Sequence, residues 1–120
     1  MDSSTDPGQT PLIDKTQYQS MADALGEAFG DLVAGFLRDC GNFETRLLEQ
    51  ASVGNAGAFR ETCHEIKGSA ALLGFSGISA CAAGWENDAR NGQVPAMPVV
   101  QETFSRLVSD TRTLIESQAV

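Results

Sequence analysis

The sequence is short of basic residues, histidine, cysteine and long apolar runs, and each shortage excludes a class of protein. Eight Lys and Arg stand against 16 Asp and Glu, so the formal net charge is −8 and nucleic acid would be repelled. No apolar run approaches the roughly 20 residues of a membrane span, and no secretory signal follows Met1. We therefore expect a cytoplasmic protein that binds other proteins, not nucleic acid or membrane.

The three cysteines are odd in number and lack the Cys-x-x-Cys spacing of metal and redox sites. Cys40, Cys63 and Cys81 fall on or near predicted core positions, so we interpret them as reduced structural thiols. The lone His64 beside such thiols does not make a metal-ligand cluster. The sequence also lacks a Gly-rich phosphate loop and an acidic Mg²⁺ cluster. It therefore predicts no metal site, no bound cofactor and no nucleotide site.

The organisation along the chain predicts one helical domain. Residues 1–12 are polar with Pro and Gly, typical of a disordered leader or linker remnant, and residues 13–120 form the domain. Apolar residues there repeat at steps of 3 and 4, never with period two. These repeats predict a short helix from Asp14 to about Gly26, then longer ones over about 31–52, 55–73, 76–91 and 99–118. The fold class is all-α, an antiparallel up-and-down four-helix bundle with a short additional N-terminal helix.

Local signals add detail to these helices. Gly30 marks the turn before the second helix, and Leu32 begins its inward stripe. Ser76 is the predicted N-cap of the fourth helix, whose predicted inner face consists of Ile78, Ala82, Trp85 and Ala89. The predicted inward stripe of the last helix consists of Val100, Phe104, Leu107, Thr111 and Leu114.

His64 carries the main functional signal. On a helix, an apolar stripe forms at steps of 4, 3, 4 and 3, and His64 lies about 140° from its centre, facing water. Arg60 precedes it by one turn, and Lys67 and Gly68 follow on the same side. The stripe consists of Phe59, Cys63, Ile66, Ala70 and Leu73.

These residues fit the chemistry of a phosphoryl carrier. An imidazole that is unprotonated at neutral pH can attack phosphorus directly and form a phosphoramidate. Lys67, and Arg60 with it, can stabilise the charged equatorial oxygens. Gly68 costs about 1 kcal/mol in a helix interior, and its bare backbone would let a partner close over the ring.

Simpler interpretations compete with this hypothesis. A lone exposed histidine is most often an ordinary surface residue, and Lys67 could be an ordinary solvated lysine. Ser69 is interpreted as a small residue at a helix contact. Glu86 and Arg90, four residues apart, are most simply a surface ion pair.

The stretch His-Glu-Ile-Lys-Gly-Ser-Ala-Ala-Leu-Leu-Gly at 64–74 resembles the histidine-containing phosphotransfer (HPt) domain. Phe36-Leu37 upstream, and Glu86 with Arg90-Asn91-Gly92 downstream, extend the similarity to about residues 25–92. The resemblance implies that His64 accepts a phosphoryl group from the aspartyl phosphate of a receiver domain, with supporting roles for Lys67 and Gly68. Cys81, Ala82 and Trp85 depart from the usual pattern, and these departures affect packing.

The expected protein is thus a monomeric phosphorelay intermediate of a two-component pathway, a covalent carrier rather than an enzyme. Its partners would be receivers of a hybrid histidine kinase and of a downstream regulator, which also bring the Mg²⁺. Two alternatives stay open: a phosphotransfer module of a chemotaxis-type kinase that is phosphorylated from ATP, and an adaptor that binds receivers without being phosphorylated. The candidate partner-binding residues are Arg60, Glu61, Ala71 and Leu72.

Overall fold

The computed structural model describes residues 10–117, in which there are five helices and no strand. The helices are α1 Lys15–Leu25, α2 Glu27–Ser52, α3 Ala56–Leu72, α4 Ser76–Arg90 and α5 Met97–Glu116. α2 packs on α3, α3 on α4, α4 on α5 and α5 back on α2, while α1 lies against α2. The short connections between the four long helices α2–α5 favour antiparallel neighbours. The predicted four-helix bundle with an added N-terminal helix is confirmed.

The core lies between the four long helices, each of which contributes side chains removed from solvent. Each large apolar side chain buried in this way contributes about 1.5–3 kcal/mol. The predicted inward stripes of α3, α4 and α5 face this core, although Trp85, Leu107 and Leu114 are only partly buried. Its most buried members include Leu47, Phe59, Ile66, Ile78, Val100 and Phe104.

The start of α2 corrects two predictions. The turn lies at Gly26, which takes the left-handed φ of 58°, and Gly30 is an ordinary helical residue within α2. Phe29 packs edge-on against Tyr18 of α1 with ring centroids 4.9 Å apart, which favours the earlier helix start. Leu32 is 44% exposed instead of inward. Because α2 contacts both α3 and α5, its buried arc is centred on neighbouring positions, and Leu32 lies outside it.

The segment before α1 is placed on the turn between α3 and α4. Residues 1–9 of the predicted leader lie outside the described residues. Residues 10–12 correct the prediction of disorder, because the carbonyl of Pro11 accepts from Ser76 Oγ at 2.7 Å and that of Leu12 from the Gly77 amide at 3.1 Å. The predicted N-cap role of Ser76 is therefore wrong. Its hydroxyl is used by the incoming chain, and Phe75 occupies the cap position without a side-chain bond.

Gly74 allows α1 to approach the α3–α4 turn closely. Its φ of 82° favours glycine, and an added Cβ would lie only 2.7 Å from the Tyr18 amide nitrogen. The Asp14 amide donates to the Gly74 carbonyl at 2.8 Å, while its carboxylate caps α1 as predicted. The end of α3 is thereby fixed against the start of α1.

The other predicted boundaries agree closely with the structure. Asn55 caps α3, and α5 begins at Met97 because Pro98 fits the first turn of a helix. The predicted helix end at Gln118 lies outside the described residues. No helix in the range 10–117 has the length and apolarity needed to cross a bilayer.

The cysteines are three free thiols, in agreement with the structural interpretation. Cys40 and Cys63 are buried and Cys81 is half-buried. Burial raises the pKa of each thiol to about 12, so none is a reactive thiolate at neutral pH.

Candidate functional site

The site is built on the outer face of α3. The Asn55 side chain accepts from the Ala58 amide at 3.1 Å and starts the helix, and the predicted apolar stripe then lies against the core. This fixes the rotation of α3 about its axis. The His64 side chain is consequently 70% exposed, as predicted.

Glu86 of α4 lies directly behind the ring. Only 6% of its side chain is exposed, and Oε2 lies 2.9 Å from His64 Nδ1 while Oε1 lies 2.7 Å from Lys67 Nζ. Arg90 Nη2 is 3.5 Å from Oε2. Three cationic or hydrogen-bonding groups thus surround one buried carboxylate, which offsets the cost of removing its charge from water.

The pKa of Glu86 is lowered, first by the hydrogen bond from Lys67 and then by that from His64, although burial opposes the shift. The carboxylate is therefore ionised and acts as an acceptor. A carboxylate next to Nδ1 requires that this nitrogen carry the hydrogen. The lone pair of the neutral ring is then on Nε2, the nitrogen away from Glu86.

Glu86 and Arg90 form the predicted ion pair, but Glu86 is buried, so the interpretation of this pair as a surface pair is wrong. Sequence reasoning missed Glu86 as the partner of both His64 and Lys67, which lie about 20 residues earlier in the chain. A signal was available in α4: Glu86 follows Ala82 by four residues and precedes Ala89 by three, and both alanines were predicted to face inward.

Lys67 is engaged with Glu86 rather than directed freely beside the ring. Its side chain is 36% exposed, and an ammonium has three donors, so it retains capacity for a further oxygen ligand. The Ser79 hydroxyl donates to the Lys67 carbonyl at 3.1 Å and ties α4 to α3 at this level. Small residues in α4 permit this close approach.

Gly68 has no structural requirement within the described chain. A Cβ there would meet nothing within 4 Å, and its backbone is helical. Gly74 differs on both counts, because its positive φ favours glycine and a Cβ there would collide with the backbone of α1. The described structure itself therefore gives no reason for glycine at position 68.

The remaining predicted residues lie on the same outer surface of α3 or beside it. Glu61, Ala71 and Leu72 are exposed, and Arg60 is half-buried one turn before His64. Ser69 is exposed and lines a groove between α2 and α3, so its interpretation as a buried helix contact is wrong. Trp85 packs against Phe59 with ring centroids 5.9 Å apart, as expected of a core residue, although it is only partly buried.

Comparison with known proteins agrees with this arrangement. The sequence profile of the Hpt domain matches residues 31–114, so the chain belongs to the Hpt domain family. Its members are histidine phosphotransfer carriers of two-component signalling rather than kinases. The fold is similar to the crystal structure of histidine-containing phosphotransfer protein B from Pseudomonas aeruginosa PAO1. The TM-score is 0.82 at 23% identity, over 90% of this chain and 94% of that one. No curated protein sequence matches the chain significantly.

Proposed function

We propose that this protein is a phosphorelay intermediate whose His64 accepts a phosphoryl group from the aspartyl phosphate of one receiver domain and passes it to another receiver. The observation that carries the proposal is the contact of 2.9 Å between Glu86 and Nδ1 of a side chain that is 70% exposed, which leaves Nε2 without a bond to the described residues. An exposed nucleophile with its second nitrogen held by an acceptor suits attack on a group presented by a large partner.

In the proposed step the lone pair of Nε2 attacks the phosphorus of the aspartyl phosphate. The N–P bond forms, the bond from phosphorus to the aspartyl oxygen breaks, and the carboxylate stays on the receiver. The ring gains positive charge while Nδ1–H donates to Glu86, so the buried carboxylate stabilises it. Transfer to the second receiver reverses these steps, with a new carboxylate as nucleophile.

Lys67 and Gly68 support this step in different ways. One donor of the Lys67 ammonium stays on Glu86, and the others stabilise the phosphoryl oxygens. Gly68 leaves the backbone uncovered, so the receiver can close over His64. The Mg²⁺ that the chemistry needs belongs to the receiver, and we propose no cofactor for this chain.

The proposed partners are receivers of a hybrid histidine kinase and of a downstream regulator, bound to a monomer. Arg60, Glu61, Ala71 and Leu72 are the proposed contact residues beyond the site itself. They surround His64 along α3, where a covering partner has to touch the helix.

Incubation with receivers carrying radioactive phosphate tests the proposal. The wild type should acquire a label that is lost in acid and kept in alkali, as for a phosphoramidate, and His64→Gln should acquire none. Equal labelling of the two proteins, or no labelling of the wild type by any receiver of the source organism, would contradict it. Lys67→Ala should slow labelling while the circular dichroism spectrum stays helical.

A further inference from the structure

A cleft lies between α1, α2 and α5, on the side of α2 that faces away from α3. Its volume is about 580 Å³, which is within the range of about 300–1,000 Å³ that is usual for small-molecule sites. The positions of α2 that line this cleft differ from those that line the groove beside Ser69, and the two sets lie on opposite sides of the helix. The α1–α2–α5 cleft is therefore separate from the face of α3 that carries His64.

Apolar side chains from all three helices line the cleft. Phe29, Val33 and Leu37 follow at steps of four along α2 and form one row, and Tyr18 of α1 and Ile115 of α5 line the cleft with them. The three residues of the row are buried, whereas Tyr18 and Ile115 are half-buried and keep part of their surface accessible. An occupant must therefore present an apolar body to these side chains.

Two arginines line the same cleft from different helices, Arg38 from α2 and Arg112 from α5. Neither forms an ion pair with any residue of the described range 10–117. Arg112 opposes the rise that burial causes in the pKa of the Cys40 thiol, so its positive charge lies near α2. Both arginines also line the next hollow along the seam between α2 and α5, and they therefore stand at one end of the cleft.

The charge of the cleft is opposite in sign to that of the whole chain. Acidic residues outnumber basic ones by 16 to 8 in the sequence, yet Glu116 is the one carboxylate among the cleft residues, against two arginines. Guanidinium groups bind carboxylates through paired, charge-assisted hydrogen bonds. The cleft thus combines an apolar surface with a local positive charge, and an occupant that complements both has an apolar body and an anionic end.

We propose that the α1–α2–α5 cleft binds a small amphipathic carboxylate, whose apolar body lies on the Phe29–Val33–Leu37 row and whose carboxylate accepts hydrogen bonds from Arg38 and Arg112. Two guanidinium groups match the charge and the acceptors of a single carboxylate. A second copy of this chain fits the cleft less well, because each copy carries a net charge of −8 and the two would repel each other. The inference does not depend on the proposed function, since the cleft does not include His64 or its neighbours.

Titration with sodium decanoate, at concentrations below those at which it forms micelles, tests the proposal. Calorimetry measures the affinity, and the amide NMR signals of Gly30, Ala34 and Ile115, which line the cleft, should shift as decanoate is added. 1-Decanol has the same apolar body without the charge. It should bind the wild type about 10-fold more weakly than decanoate, because it cannot form the charge-assisted hydrogen bonds to the arginines.

A pair of double variants tests the role of the two arginines. Arg38→Gln with Arg112→Gln should weaken the binding of decanoate by about 10-fold. The control, Lys15→Gln with Arg106→Gln, removes the same positive charge outside the cleft and should bind within about twofold of the wild type. Equal weakening in both double variants would assign the effect to net charge and overturn the inference. Circular dichroism melts verify that the variants fold, since all four positions are exposed.

A third variant blocks the cleft and keeps both arginines. Ala34 is exposed and lines the cleft, so Ala34→Trp should occupy space there without replacing a core residue, and should weaken decanoate binding by about 10-fold or more. Amide shifts that fall outside the cleft, or no shifts at all, would overturn the inference. So would equal affinities for decanoate and 1-decanol, or an affinity that none of the cleft variants changes.

Sedimentation distinguishes a small ligand from a second copy of the chain. A wild-type dimer that dissociates on Ile115→Ser would make the second copy the occupant and overturn the proposal. A monomer that binds decanoate in the cleft supports it.

Discussion

Two helices of this protein contain the same Glu-x-x-x-Arg pattern, with very different surroundings. In α5, Arg106 Nη2 lies 2.8 Å from Glu102 Oε2, and the side chains are 65% and 73% exposed. In α4, Arg90 is farther from Glu86, at 3.5 Å, but that glutamate is almost wholly buried. The shorter pair, Glu102–Arg106, therefore contributes less to stability, because water screens it and competes for both partners.

The difference shows that the neighbours from α3, rather than the pattern within α4, give Glu86 its role. Lys67 and His64 approach the carboxylate from another helix and make both of its oxygens acceptors. A buried carboxylate needs such partners, and in meeting that need it orients the imidazole. The contacts that stabilise the buried carboxylate are therefore the same contacts that orient the His64 imidazole.

The largest expected difference is in stability. Glu86→Gln should lower the free energy of unfolding by about 1–3 kcal/mol, because a charge-assisted bond is lost and Lys67 is left without its counter-ion. Glu102→Gln should lower it by less than about 0.5 kcal/mol. Urea unfolding followed by circular dichroism measures both. Equal losses would mean that the burial of Glu86 has no energetic consequence.

Two exposed helical glycines, one beside His64 and one far from it, allow a second comparison. Gly68 lies beside His64 and Gly41 lies within α2, and a Cβ at either position would meet nothing within 4 Å. Each change to alanine should raise the free energy of unfolding by up to about 1 kcal/mol. Under the proposed function, only Gly68→Ala should slow phosphoryl transfer, since the added methyl would stand where the receiver is proposed to cover His64.

Comparing Gly68→Ala with Gly41→Ala tests this prediction directly. If Gly68→Ala transfers as fast as Gly41→Ala, the glycine beside His64 is not kept for the partner. If either alanine destabilises the bundle, the open space beside that position is not available in solution. Transfer rates and melting curves of the same two proteins decide both points.

The sequence predicted α3 and the exposure of His64 well, since both depend on periodicity within a single helix. It could not predict the burial of Glu86, because that depends on how α3 and α4 are rotated against each other. The same limit explains Leu32, whose exposure follows from α2 having two neighbours. Ser76 was predicted as a cap because the cap pattern is local, whereas its real partner, Pro11, is 65 residues away.

The smallest expected effect concerns pH. The loss of unfolding free energy caused by Glu86→Gln should depend on pH, whereas the loss caused by Glu102→Gln should not. Because the folded-state pKa of Glu86 lies below its ordinary value of 4.5, its contribution is fully present above about pH 4.5. It is lost as the pH falls through the lowered value, where the folded protein also takes up the proton. The stability difference between wild type and Glu86→Gln should therefore shrink from pH 5 downward, while that for Glu102→Gln stays small throughout. Unfolding curves between about pH 3 and 5 measure this, and a Glu86→Gln difference that persisted at the lowest pH would show that shape, rather than charge, makes the buried carboxylate matter.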